Sequence, residues 1–182
     1  MKVLLDACVL YPTVMREVLI GAALAGLYQP LWSDRILEEW ARAARKIGPE
    51  GEAMARGEIA LLRNAVGKGS VAVPEGLIQR LWLPDPNDIH VLAAAVAGSA
   101  DILVTLNKKD FPQNILQEEG VVRRDPDGFL LDLYAQDPDK IAAVAQAVLE
   151  TAEHMSGETI ELRRLLKKAR LPRLGKTLQA AA

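Results

Sequence analysis

Asp88-Ile89-His90-Val91-Leu92-Ala93-Ala94-Ala95-Val96-Ala97-Gly98, followed after three residues by Ile102-Leu103-Val104-Thr105, is the most regular stretch of the chain. Nine residues from Ile89 make a helix, Gly98 closes it, and the short branched run at Ile102 reads as a buried strand, a helix-to-strand unit of α/β folds. Near the start, Val3-Leu4-Leu5 repeats the strand and ends abruptly at Asp6. Such apolar runs suit parallel strands covered on both faces. Each delivers polar groups, Asp6 in one case and Thr105 and Asn107 in the other, to a C-terminal strand end, where the crevice of an open α/β sheet lies.

Between these strands the pattern is mainly helical. Tyr11-Pro12-Thr13 opens a helix running through Leu24, and Ser33 is placed to cap a second that carries Ile36, Leu37, Trp40, Ala41 and Ala44 on one side. A third helix is expected over residues 52–66, and Val71-Ala72-Val73 reads as a brief strand before Pro74. Val121-Val122 reads as an edge strand. Beyond it the pattern is helical, over residues 129–134, 141–153 and 158–169, broken by Pro126, Pro138, Gly157 and Pro172. The expected organisation is an α/β domain over residues 1–125 and a small helical extension over 126–182. Trp32, Trp40 and Trp82 read as core, because no basic residues interleave them as in a base-stacking platform.

Half of the 182 residues are hydrophobic and a quarter charged, a balance that fits a folded globular chain and excludes a disordered one. Asp6 interrupts the first apolar run too early for a secretion signal, and residues 91–98 fall far short of a membrane span. One cysteine, Cys8, cannot form an internal disulfide, so the expected compartment is the cytoplasm. The net charge of −2 gives no global argument for nucleic acid. Lys and Arg do cluster between Arg163 and Lys176, a run that by itself is more often a solvated helix face.

Four acidic positions, Asp6, Glu39, Asp88 and Asp110, lie far apart in sequence at places an α/β sheet brings toward one crevice. Gathered carboxylates repel one another unless a cation neutralises them, and hard oxygen donors suit Mg2+ or Mn2+. A metal held this way supports phosphodiester hydrolysis without a histidine base, and His90 and His154 sit in no acid/base or zinc-ligand arrangement. Each position also has a plainer reading. Asp88 can cap its helix, Asp110 can serve a turn, and Glu38 and Glu39 lie about 130° to either side of the apolar centre of their helix, so periodicity does not choose between them. Asp6 is hardest to dismiss, since a charge ending a buried strand needs a purpose. Arg16 is open between contacting a phosphate and snorkelling into water. His90 is expected to be partly exposed and not catalytic.

Four stretches carry a family resemblance: Lys2-Val3-Leu4-Leu5-Asp6-Ala7-Cys8-Val9-Leu10; Ser33-x-x-Ile36-Leu37-x-Glu39-Trp40; Leu83-Pro84-Asp85-Pro86-Asn87-Asp88-x-His90-Val91-Leu92-Ala93-Ala94-Ala95; and Ala100-Asp101-Ile102-Leu103-Val104-Thr105-Leu106-Asn107-x-x-Asp110-Phe111-Pro112. In this order they resemble the motifs of PIN domains, over about the first two-thirds of the chain. The resemblance implies a three-layer α/β/α fold with a central parallel sheet and a metal-dependent ribonuclease activity that leaves a 5′-phosphate and a 3′-hydroxyl. It selects Glu39 over Glu38 and implies Asp6, Glu39 and Asp88 as the acidic core around one or two divalent ions. Many PIN domains place a fourth acid where this chain has Asn107, which keeps an oxygen and loses a charge; Asp110, in an Asn-x-x-Asp-Phe-Pro pattern of one branch, can partly substitute. Thr105 is placed to fix a carboxylate or a water molecule. The tail from Asp125-Pro126-Asp127-Gly128-Phe129 is similar to the helical extension of some VapC-type toxins, which implies an RNA substrate, a cognate antitoxin and a homodimer. The rival from another class is a catalytically degenerate PIN-like module that binds RNA or protein. An aspartyl phosphatase would need a second carboxylate where Cys8 stands, and a dinucleotide-binding domain would need a Gly-x-Gly-x-x-Gly that does not follow the first strand.

Overall fold

The structure is a computed structural model that describes residues 1–181. Strands β1 (Lys2–Leu5), β2 (Gln29–Leu31), β3 (Ile102–Val104) and β4 (Val122–Arg124) form one sheet in the order β2-β1-β3-β4. Every pairing is parallel, with Val3 opposite both Pro30 and Ile102, and Leu103 opposite Arg123. Val3, Leu4, Leu5, Leu103 and Val104 are wholly buried, which accounts for the unbroken apolar runs of the two central strands. Each such side chain contributes about 1.5–3 kcal/mol of burial. The chain leaves β1 for one neighbour, β2, and later returns to its other side with β3. That reversal makes the C-terminal ends of β1 and β3 the switch point of the sheet.

Contacts divide the chain into two compact units: residues 1–11 with 28–124, and residues 12–27 with those from 125 onward. The first unit is an α/β fold, with helices α1 (Ala7–Leu10), α3 (Asp34–Ala43), α4 (Gly51–Val66), α5 (Glu75–Arg80), α6 (Ile89–Ala97) and α7 (Gln113–Glu118) around the sheet; α2 (Thr13–Leu24) belongs to the second unit. Ser33 caps α3 by accepting from Ile36 N at 3.3 Å, as its position before the apolar face requires.

The second unit adds α8 (Pro126–Gln136), α9 (Pro138–Ser156), α10 (Leu162–Lys168) and α11 (Pro172–Ala181) to α2. Three helices are expected there and four are found among the described residues, because Pro172 opens the last one; a proline in the first turn lacks only an N–H that would have no helical partner. Asp127, buried, is the joint of this unit. Its carboxylate accepts from Arg173 N (2.9 Å), Arg173 Nε (3.1 Å) and Leu174 N (3.0 Å), and so closes the N-terminus of α11.

Several local expectations are corrected. Val71-Ala72-Val73 is not a strand: Ser70 makes one isolated bridge to Trp32, Val71 N donates to Trp32 O at 2.8 Å, and Pro74 then leads into α5. The unforeseen strand is β2, whose Pro30 argues against pairing in a central strand but is tolerated at a sheet edge. Trp32 and Trp40 are core, but Trp82 is 65% exposed, since it alternates between buried Leu81 and Leu83 in an extended segment. Gly69 permits the burial of Trp32: a Cβ there would lie 2.5 Å from the indole ring. Among the described residues, no helix is long and apolar enough to cross a membrane.

Candidate metal centre

Asp6 follows β1 directly and Thr105 follows β3 directly, so two neighbouring parallel strands set them side by side at the switch point. The Thr105 hydroxyl donates to Asp6 Oδ2 at 2.6 Å, and Asp6 is only 7% exposed. Cys8 Sγ–H reaches the same oxygen at 3.1 Å and itself accepts from Leu106 N at 3.2 Å. Burial first, and then the Asp6 charge, push the Cys8 thiol up to about 12, so Cys8 is a neutral donor and not a nucleophile. Both donors satisfy Asp6 Oδ2 in a place where a carboxylate without partners would be costly.

Asp85 and Asp88 are the first and fourth residues of a tight segment containing a 3-10 turn at Pro86–Asp88, a spacing that returns to the same side at three residues per turn. Asp85 does the capping here, with its Oδ1 accepting from Asn87 N at 2.9 Å. Asp88 makes no side-chain cap bond to α6, so the capping reading of Asp88 fails and its carboxylate is free for other work. Asn107 Nδ2 donates to Asp88 Oδ2 at 2.9 Å, while Asn107 Oδ1 accepts from Asp110 N at 3.2 Å. The turn is thus held by the Asn107 side chain, which leaves the Asp110 carboxylate to meet Asp85 and Asp88: ligand oxygens of the three lie within 4.8 Å of one another.

Desolvation and then the charges of Asp6, Asp85 and Asp110 raise Asp88 from 3.8 to about 6. Four carboxylates therefore share one electrostatic neighbourhood, and their oxygens are the hard donors that Mg2+ and Mn2+ take. The donor set fits a divalent ion, with Asp85, Asp88 and Asp110 closest together and Asp6 acting on Asp88 by charge.

Glu38 and Glu39, left open by periodicity, are separated by their partners. Glu38 points into a surface network with Arg42 (2.9 Å) and Arg56 (2.9 and 3.0 Å). Glu39 reaches His90 in the first turn of α6, with Oε1 2.8 Å from Nε2, and Arg35 at 3.5 Å. His90 is 3% exposed, which corrects the expectation of a partly exposed ring, and its Nδ1 has no hydrogen-bond partner. In that bond His90 Nε2 is the donor and the Glu39 carboxylate oxygen the acceptor. Arg16 lies in the second unit, buried and 3.6 Å from Glu17, so its guanidinium does not snorkel into water. Asp85, Cys8 and the His90–Glu39 bond were not anticipated; the Asp-x-x-Asp spacing over a proline turn was the available signal for the first.

A family model described as the PIN domain matches residues 2–109, and the chain belongs to the PIN domain family. A protein of Mycobacterium tuberculosis named "Putative ribonuclease VapC50" is 49% identical over 45 residues, 25% of this chain and 27% of that one. The chain thus matches about a quarter of that relative's length. No solved structure matches the chain.

Proposed function

We propose that this protein is a metal-dependent endoribonuclease, the toxin of a toxin–antitoxin pair, and that the carboxylates at the β1–β3 switch point are its active site. The observation that carries this reading is the meeting of Asp85, Asp88 and Asp110 beside a buried Asp6, an arrangement in which burial first, and then the neighbouring negative charges, lift Asp88. PIN membership and a relative named as a ribonuclease support it.

In this reading Asp6, Asp88 and Asp110 hold Mg2+ or Mn2+, with Glu39 as a further ligand and Asp85 beside them. A bound divalent ion lowers the pKa of water and offsets the charge that develops on the scissile phosphate. Thr105 fixes Asp6 in one rotamer, and Asn107 ties Asp88 to the Asp110 turn. Asn107 spends its amide on Asp88, so it orients the ligands and adds no charge, which favours one tightly held ion over two. Glu39 lines a groove of about 630 Å³ with Asp34, Arg35, Glu38, Arg42 and Arg63, and there each arginine is paired to one of the acids. Arg16 is a further candidate for substrate contact. We assign the activity to residues 1–125 and regard 126–182 as a helical extension. The reading carries a cytoplasmic site of action, an antitoxin that blocks the pocket and a homodimeric assembly.

The test is cleavage of labelled RNA with Mn2+ or Mg2+, with EDTA as the control. Asp6→Asn should abolish cleavage and leave the far-ultraviolet circular dichroism unchanged. Metal-stimulated cleavage that survives in that variant overturns the mechanism. A folded wild-type protein that binds RNA but no divalent ion points instead to the degenerate module.

A further inference from the structure

Charge in the second unit is segregated along the chain. Residues 125–161 hold nine acids and one lysine, whereas residues 162–182 hold seven Lys and Arg and no acid. Two of the seven have local partners: Arg173 pairs with Asp125 and Asp127, and Arg163 donates to Gln179 at 2.8 Å. Arg164, Lys167, Lys168, Arg170 and Lys176 are exposed and make no ion pair among the described residues. In contrast, Arg42, Arg45, Arg56 and Arg63 of the first unit are each paired to a carboxylate.

Helical geometry concentrates these charges. At about 100° per residue, Arg163, Arg164, Lys167 and Lys168 fall within an arc of about 140°, while Leu166 on the other side is wholly buried. The end of α10 adds a second observation. Leu171 N bonds Leu166 O at 2.8 Å and Arg170 N bonds Lys167 O at 3.1 Å, which is a Schellman closure with buried Leu166 and Leu171 as its apolar pair. The residue in its left-handed position, at φ 61°, is Arg170, where glycine is favoured. The sequence accepts backbone strain there and keeps a cation, and strain of this kind points toward function.

We propose that the exposed face of α10, extended by Arg170 and Lys176, is a binding site for the phosphate backbone of RNA, separate from the metal centre. That the polyanion is RNA rests on the ribonuclease reading. An acidic protein partner is disfavoured because the leucines of these helices face inward, so the patch lacks the apolar or aromatic anchors that carry protein interfaces. A row of cations without anchors suits a chain of phosphates, each neutralised contact releasing counterions.

The experiment is binding of a fluorescent single-stranded 20-mer of polyuridylate to the full chain in EDTA, from about 0.05 to 0.3 M KCl. The triple variant Arg164→Gln, Lys167→Gln, Lys168→Gln should reduce the slope of log affinity against log salt by about 2, from about 0.7 per lost contact, and weaken binding about a hundredfold at 0.1 M salt. Arg170→Gly should bind about fivefold more weakly yet melt about 2–4 °C higher, a pairing of effects that a purely structural role would not give. Unchanged affinity and slope in the triple variant overturn the proposal, as does polyglutamate binding as tight as that of RNA with the same loss in the variant. Cleavage measured separately with Mn2+ keeps the two readings apart: RNA binding lost in the triple variant of an inactive protein upholds this site and removes the nuclease, and active cleavage with unaltered RNA binding does the reverse.

Discussion

Asp88→Asn should make the metal-free protein more stable while destroying its response to metal. The Asp88 carboxyl titrates near 6 in the folded chain against an ordinary 3.8, through desolvation and the neighbouring charges of Asp6, Asp85 and Asp110. Two units correspond to about 3 kcal/mol at about 1.36 kcal/mol each, and solvent screening of this part-exposed group reduces that to about 1–2 kcal/mol. Because the folded state holds its proton more tightly, the wild type loses this stability as pH rises from about 4 to 6, and the loss is complete above about 7. Asparagine cannot ionise and still accepts from Asn107 Nδ2, which lies 2.9 Å from Asp88 Oδ2. In EDTA at pH 8 the variant should therefore melt about 2–8 °C above the wild type, at about 2–4 °C per kcal/mol, and the gap should narrow toward pH 4. Saturating Mn2+ should reverse the order, because an ion at a hundredfold its dissociation constant adds about 2.7 kcal/mol only where the site is intact. Differential scanning fluorimetry at several pH values, with and without Mn2+, reads both effects. A variant that melts below the wild type in EDTA at pH 8, or gains as much from Mn2+, refutes the account of a repelling carboxylate cluster.

Two other outcomes follow from single contacts. His90→Leu removes the donor that holds Glu39 at 2.8 Å and should weaken Mn2+ binding about tenfold or more by calorimetry, whereas His90→Gln, whose amide can donate to Glu39, should recover much of it; equal affinity in both variants would show that Glu39 needs no such support. Asp127→Ala leaves the first N–H groups of α11 without their buried acceptor and should cost about 2–3 kcal/mol in urea denaturation, with Asp127→Asn costing less; a change below about 0.5 kcal/mol would show that water replaces the carboxylate.

The sequence disclosed the sheet where burial wrote an unmistakable pattern. Val3–Leu5 and Ile102–Val104 are apolar without a break because both are central strands, and the polar residues that end them mark the switch point. It concealed β2, because an edge strand of three residues containing proline has neither length nor alternation. In the site, Asp6, Asp88 and Asp110 were legible as carboxylates at strand and helix ends. Periodicity did not choose between Glu38 and Glu39, since both sit at the margin of an amphipathic helix; the family resemblance named Glu39, and the bond to His90 from α6, far along the chain, sets its surroundings apart from those of Glu38. Asp85 was hidden by its own local role, as an acid that caps a turn looks complete without a second purpose. Trp82 misled because size suggests burial, while an extended backbone turns every second side chain outward.

The division of the chain has a consequence for its synthesis. Helix α2 is translated about one hundred residues before the other helices of its unit, which begin at Pro126. At about 5–20 residues per second, the roughly one hundred residues in between keep α2 without α8, α9 and α10, which pack against it, for about 5–20 seconds. A chain ending at residue 125 would lack α8, α9 and α10, the helices of its own unit that pack against α2, and should be more prone to aggregation and proteolysis than the full chain.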